Sequence, residues 1–203
     1  MKGCLSLIIK TVIAVLVFFG LKYLGVIDFI QTKIDEHRNV SQEQITEKTR
    51  DVVDLSDIDD EYTIDKNLKI FKNRIILAQH NSTGQKMLML EPKNGAMLTK
   101  DDITSDNIQD RIDKIITKYE NKAIKFSNVK VVKQDNFSGI GQTIPYVKVK
   151  AQVSNLPVKD MEGIIGVAEL DDGKNLIIAA FNERNKYSQI ITEAFFRKVK
   201  NAK

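Results

Sequence analysis

The sequence predicts an α+β domain, mainly antiparallel sheet with amphipathic helices packed on it, behind one N-terminal transmembrane helix. Three observations lead there. Residues 4–30 form the only long apolar run and stand ahead of mixed polar sequence. From residue 68 to 181, short β-rich runs recur between turns bearing glycine and asparagine. Two stretches, one central and one closing, carry apolar residues at helical spacing.

The apolar run is read as a membrane anchor, residues 1–30. A span needs about 20 apolar residues to cross roughly 30 Å of hydrocarbon. Residues 8–27 supply that length but include Lys10 and Lys22. The uncharged stretch between them, residues 11–21, rises only about 16 Å. Lys10 and Lys22 lie near opposite ends, so each ammonium snorkels to its own headgroup layer, and Tyr23 suits the interface belt. The rival reading is a cleaved signal peptide. It asks for a small-x-small cleavage site, where the chain has Lys22, Tyr23, Leu24 and Gly25. A retained anchor is therefore expected, spanning the lipid bilayer with residues 8–27. The short N-terminal tail would be cytoplasmic and the C-terminal domain extracytoplasmic, at the cell membrane.

Residues 31–67 read as a polar stalk. Ser41 and Gln44 fit a capping box ahead of a short helix over 42–53, whose apolar positions Ile45, Val52 and Val53 are sparse. Asp54, Asp57, Asp59, Asp60 and Glu61 follow as an acidic patch. A calcium loop needs a glycine turn, and no glycine lies between Gly25 and Gly84, so a solvated linker is expected.

The globular domain is assigned to residues 68–203. Residues 68–71 and 74–78 read as strands around Lys72 and Asn73, and 87–90 as a third after a turn at 81–84. Residues 92–96 break the sheet. Thr104 or Ser105 caps a helix whose Ile108, Ile112, Ile115, Ile116 and Tyr119 make one stripe. Residues 123–132 and 146–153 are the next strands. In the second, Val147, Val149, Ala151 and Val153 alternate inward with lysines outward. Strands at 163–170 and 175–181 meet through Asp171-Asp172-Gly173, read as a two-residue turn. The closing helix, 186–199, places Tyr187, Ile190, Ile191, Ala194, Phe195 and Val199 on one face.

Three stretches then resemble a known family. Phe137-Ser138-Gly139-Ile140-Gly141-Gln142-Thr143 with Pro145-Tyr146 looks like the glycine-containing turn before the central strand of the PsbP-like fold. Residues 175–181 look like its late buried strand, and 187–196 like its closing helix. That fold includes the extrinsic photosystem subunit and bacterial DcrB-like proteins. The likeness covers about residues 68–200. It implies a small binding or assembly factor outside the cytosol, with no catalytic residues.

The residues themselves favour few chemistries. The single cysteine, Cys4, lies in the apolar end, so residues 31–203 hold no disulfide, thiol nucleophile or cysteine-ligated zinc. Residues 1–30 carry three lysines and one aspartate, leaving 28 basic and 26 acidic residues beyond them, which gives no footprint for nucleic acid. His37 and His80 sit in no metal-ligand spacing, and His80 reads as a solvated turn residue. Ser138 lacks the Gly-x-Ser-x-Gly elbow, and Gly139-Ile140-Gly141 lacks a third glycine and a following helix. No cofactor or metal site is expected. Arg184, Lys186, Arg197, Lys198 and Lys200 make the last helix basic and are the candidate partner-binding residues. The expected function is a membrane-anchored, non-enzymatic binding or assembly module with a protein partner at the membrane surface. The alternative is an extracytoplasmic hydrolase or small-ligand receptor whose site is hidden in sequence.

Overall fold

The computed structural model describes residues 47, 49–70, 73–92, 98–117, 125–154 and 159–202. The apolar run at 4–30, with Lys10, Lys22 and Tyr23, lies outside the described residues, as do His37, Ser41, Gln44 and Tyr119. Among the described residues no helix is long and apolar enough to cross a membrane.

A short β1 (Val53–Asp54) precedes three strands, β2 (Tyr62–Ile70), β3 (Asn73–His80) and β4 (Lys86–Glu91). Helices α1 (Lys100–Thr104) and α2 (Ile108–Thr117) follow. Four strands come next: β5 (Lys125–Gly139), β6 (Gln142–Ser154), β7 (Lys159–Glu169) and β8 (Asn175–Glu183). Helix α3 (Gln189–Lys198) and β9 (Lys200–Asn201) end the chain. Seven strands make one antiparallel sheet in the order β2-β3-β4-β8-β7-β6-β5, and β1 pairs with β9 beside it. The large sheet is thus two meanders joined in the middle where β4 meets β8.

Local chemistry closes each meander. At the β3–β4 turn, Gly84 takes φ +69° and its N–H donates to His80 O at 2.9 Å. Between β5 and β6, Ile140 and Gly141 both have positive φ, 51° and 69°, the geometry of a type I′ hairpin. A β-branched residue in that region is an outlier. Ile140 nonetheless sits there fully buried, its N–H donating to Phe196 O at 2.8 Å. The β7–β8 connection differs from the expected two-residue turn. Leu170 N–H donates to Lys174 O and Gly173 N–H to Leu170 O, both at 2.8 Å, with Gly173 at φ +76°. The loop is therefore three residues, a turn plus one left-handed glycine.

Both sheet faces are buried at the centre. Ile76, Ala78, Met87, Met89, Ile164 and Ile178 pack with Phe195 and Phe196 of α3. Ile75, Leu77, Leu88, Leu90, Val167 and Ile177 pack under Ile103, Ile108 and Ile112 of α1 and α2. Central strands therefore read as continuous apolar runs, whereas outer strands alternate.

Four expectations are corrected. Residues from Thr49 to 67 are not stalk: Val52, Val53 and Leu55 are buried in the α3-side core, and Tyr62 opens β2. The helix expected over 42–53 does not reach its end, because Val53 pairs with Asn201 as strand. The helix expected behind Thr104 or Ser105 is preceded by another, capped by Thr99, whose hydroxyl accepts from Asp102 N–H while Asp102 accepts from Thr99 N–H. This capping box opens α1, a helix additional to those read from the sequence. Ser105 itself accepts from Asn107 N–H at 3.1 Å ahead of α2. On α3, Ile190 is 80% exposed and Phe196 is fully buried. Ser188 caps the helix. Ile190 lies about 140° around the axis from Phe195 at 100° per residue, so the two cannot share a face.

Candidate functional site

The sheet has two chemically different ends. Arg74 on β3 bonds Asp51, 3.3 Å between Nη1 and Oδ2, and is opposite Glu91 on β4, so the chain joins the domain at this end. Gln79, Lys86 and Phe181 mark the other end, with Met161 opposite Glu183 beyond them. The two ends lie about 25 Å apart along β8, at 3.3 Å per residue.

The far end gathers cations. Strand alternation puts Lys148 and Lys150 of β6 on the α3 side of the sheet, past the end of the helix. Both reach Glu162 of β7, at 2.6 and 3.7 Å. Arg184, just beyond β8, reaches the same carboxylate at 3.9 Å and Asp160 at 3.9 Å. Three cations thus crowd one carboxylate whose side chain is only 12% exposed. The neighbouring strand adds two more. Lys130 stands directly opposite Lys150, and Lys133 opposite Lys148. Like charges placed so are destabilising. Lys133 is relieved by Asp135 on its own strand, and Lys186 pairs with Glu183 at 2.9 Å.

Tyr187 closes this cluster from the helix side. Lys148 Nζ sits 5.4 Å from its ring centroid. Its hydroxyl donates to Gln189 Oε1 at 2.7 Å, and burial pushes the phenol well above its ordinary pKa. The loop is fixed by buried amides. Gln85 donates to Ser188 O and Thr192 Oγ1 and accepts from Ser188 N–H. Asn182 donates to Thr83 O and Lys186 O.

The remaining basic candidates stand elsewhere. Lys198 pairs with Asp59, and Lys200 with Asp57 at 2.6 Å. The acids expected as solvated linker are therefore the partners of the helix end. Lys200 holds the Asp57 carboxyl below its usual range, and the Ser56 N–H does the same first of all for Asp54. Arg197 is exposed. Arg184 and Lys186 are thus separated from Arg197, Lys198 and Lys200 by the length of α3, about 15 Å. The five form no single patch.

His80 is also corrected. It is buried at the end of β3, 8% exposed, edge-on to Tyr62. Its Nδ1 lies 2.9 Å from Thr83 Oγ1 and 3.3 Å from Ser82 Oγ, contacts that tie the turn to its own strand. Gly139 and Gly141 serve the hairpin: a Cβ on Gly139 would press Phe137 and Phe196. Among the described residues no group of histidine, cysteine, aspartate or glutamate could hold a metal ion.

Lys148, Lys150 and Glu162 were not singled out from sequence. The alternating Lys148-Val149-Lys150 pattern did put both lysines on one face, but their meeting with Glu162 and Arg184 depends on strand register. Chemically, the arrangement offers several ammonium and guanidinium donors against too few carboxylates, suited to an anionic surface. No family model matches the chain, and no curated protein matches it in sequence.

Proposed function

We propose that this chain is a membrane-tethered, non-enzymatic α+β module that binds an acidic protein partner outside the cytosol. Residues 8–27 serve as its single transmembrane helix and the folded domain lies beyond it. The observation that carries the reading is the crowding of Lys148, Lys150 and Arg184 on Glu162, with Lys130 and Lys133 opposite two of them. Sheets avoid like charges placed opposite one another, and an acidic partner would relieve that repulsion. The position supports it too. The cluster lies at the far end from where residues 49–55 join the domain, so a tether would hold it facing away from the bilayer. The resemblance to the PsbP-like fold implies the same kind of role.

The test places a photocrosslinking residue at Arg184, and separately at Lys200, in the full chain in its native membrane. A discrete adduct from position 184, lost when Lys148 and Lys150 are changed to Glu and absent from position 200, is the expected result. Equal adducts from both positions, or none from 184, would sink the binding reading. Release of the native chain by alkaline carbonate would sink the tether.

A further inference from the structure

Among the described residues strand β5 is an edge of the sheet, and edges present N–H and C=O groups that invite another strand. Its segment Val129-Lys130-Val131-Val132 is rich in β-branched residues. Val132 is 45% exposed there, one of two large apolar side chains so exposed among the described residues. Register shifts in the β5–β6 pairing, between Ser127 and Lys130 and between Val131 and Lys133, break the ladder at the same place.

The backbone of that segment is already occupied by a side chain. Gln109 of α2 donates its Nε2–H to Val129 O at 3.2 Å and accepts from Val131 N–H on Oε1 at 2.7 Å. Those are the two atoms that an added strand would bond, with one residue if parallel and two if antiparallel, and here one side-chain amide supplies both the donor and the acceptor. Asp113, one turn along α2, accepts from the same Nε2 at 2.9 Å and fixes the orientation of the amide. Further along, Gln134 of β5 donates to Ile103 O and Ser105 O, tying the strand to the end of α1. The neighbouring Asn136 N–H is taken by Asp135 Oδ1 at 2.9 Å.

We propose that Gln109 is an edge latch. Its amide stands in for an eighth strand at Val129 and Val131 and keeps the β5 edge from pairing with the β5 edge of a second copy of this chain. A second copy is the fitting occupant on the reading proposed above, since a chain tethered in a bilayer meets its own kind at high local concentration, with the same Val132 edge exposed on both. Lys130 and Lys133 oppose that pairing by charge, so the latch matters most where salt screens them.

The test uses the full chain in detergent micelles with Cys4→Ser, and a reporter Val132→Cys at the edge. Ile190→Cys, exposed on α3, is the control reporter. With Gln109 intact, oxidation at about 0.5 M salt, where screening is strong, is expected to give little dimer through Val132→Cys. Gln109→Ala, which removes both bonds, is expected to raise that dimer about 25-fold, about five-fold for each net hydrogen bond, and to leave the Ile190→Cys yield unchanged. Gln109→Glu keeps the acceptor for Val131 N–H, loses the donor, and should fall between. Amide exchange at Val131 should quicken with Gln109→Ala. An edge dimer that does not rise when the Val131 amide opens would overturn the latch. So would reporters that rise together, which would mean general loosening.

Discussion

Ile140 tests how strain and burial compete at a single residue. It is fully buried, yet held at φ +51° in a two-residue hairpin. Truncating a buried Ile to Ala costs about 2–5 kcal/mol. The left-handed conformation costs a residue with a Cβ about 1–2 kcal/mol, which Ala keeps and Gly does not. Gly in turn costs about 0.5–1 kcal/mol more chain entropy than Ala. Gly also gives up the last buried carbon, about 0.8 kcal/mol, so Ile140→Gly and Ile140→Ala should be about equally damaging, whereas at negative φ Gly would be the worse by about 1–2 kcal/mol. Both remain below the native chain, because the lost packing against α3 exceeds the relieved strain. The assay is denaturant unfolding of the full chain in mild detergent, followed by far-ultraviolet dichroism, with equal slopes for the variants. If Ile140→Ala proves more stable than Ile140→Gly by about 1 kcal/mol or more, the strain argument is wrong. If either exceeds the native chain, the burial argument is.

Gly163→Ala should cost about 3 kcal/mol, at the upper end for overpacking. Its Cβ would run into the carbonyl of Ala180 and the ring of Phe181, and backbone cannot step aside. A fall in Tm of less than about 3 °C would count against that. Glu162→Gln removes the carboxylate shared by Lys148, Lys150 and Arg184. Tm should fall, and added salt should raise it more than in the native chain; equal salt dependence would refute the clustering argument. For pH, the Asp54, Asp57, Asp135 and Asp172 carboxyls are all held low, chiefly by hydrogen bonds from Ser56, Lys200, Lys133 and Lys174 respectively. A lowered folded-state pKa gives stability that is complete above the unfolded value, near 3.9, and lost as pH falls through the folded one. The raised Lys133, Lys174 and Lys200 act the other way, contributing below about 10.4 and fading as pH rises past their folded values. Tm should stay level from about pH 6 to 8 and decline below about pH 4; a Tm that climbs on acidification would contradict it.

Turn and cap chemistry was legible in the residues. Gly84, Gly141 and Gly173 each mark a hairpin, and the 146–153 alternation correctly separates Val147 and Val149 from Lys148 and Lys150. Thr99 with Asp102 is equally readable as a capping box, and Ser105 stands ahead of α2 as expected, its hydroxyl accepting from Asn107 N–H. Ile190 is apolar and reads as buried; only the phase set by Ser188 and the twin Phe195 and Phe196 turns it outward. The acids at 54–61 read as linker because their partners, Lys198 and Lys200, come from the far end of the chain.

By itself the sequence determined the apolar stretch at 4–30, the glycine turns at Gly84, Gly141 and Gly173, and the central and closing amphipathic helices. Those signals act within a few residues: a glycine that alone tolerates positive φ, a hydroxyl that reaches the third amide along, a repeat of two or 3.6. Tertiary structure alone decided that β4 pairs with β8, that residues 49–55 belong to the core, and that Lys148, Lys150 and Arg184 meet on Glu162. It also decided that Gln109 covers the edge of β5. Each of these joins groups distant along the chain, where no local preference selects the partner and only the packing of the whole sheet brings them within hydrogen-bond reach.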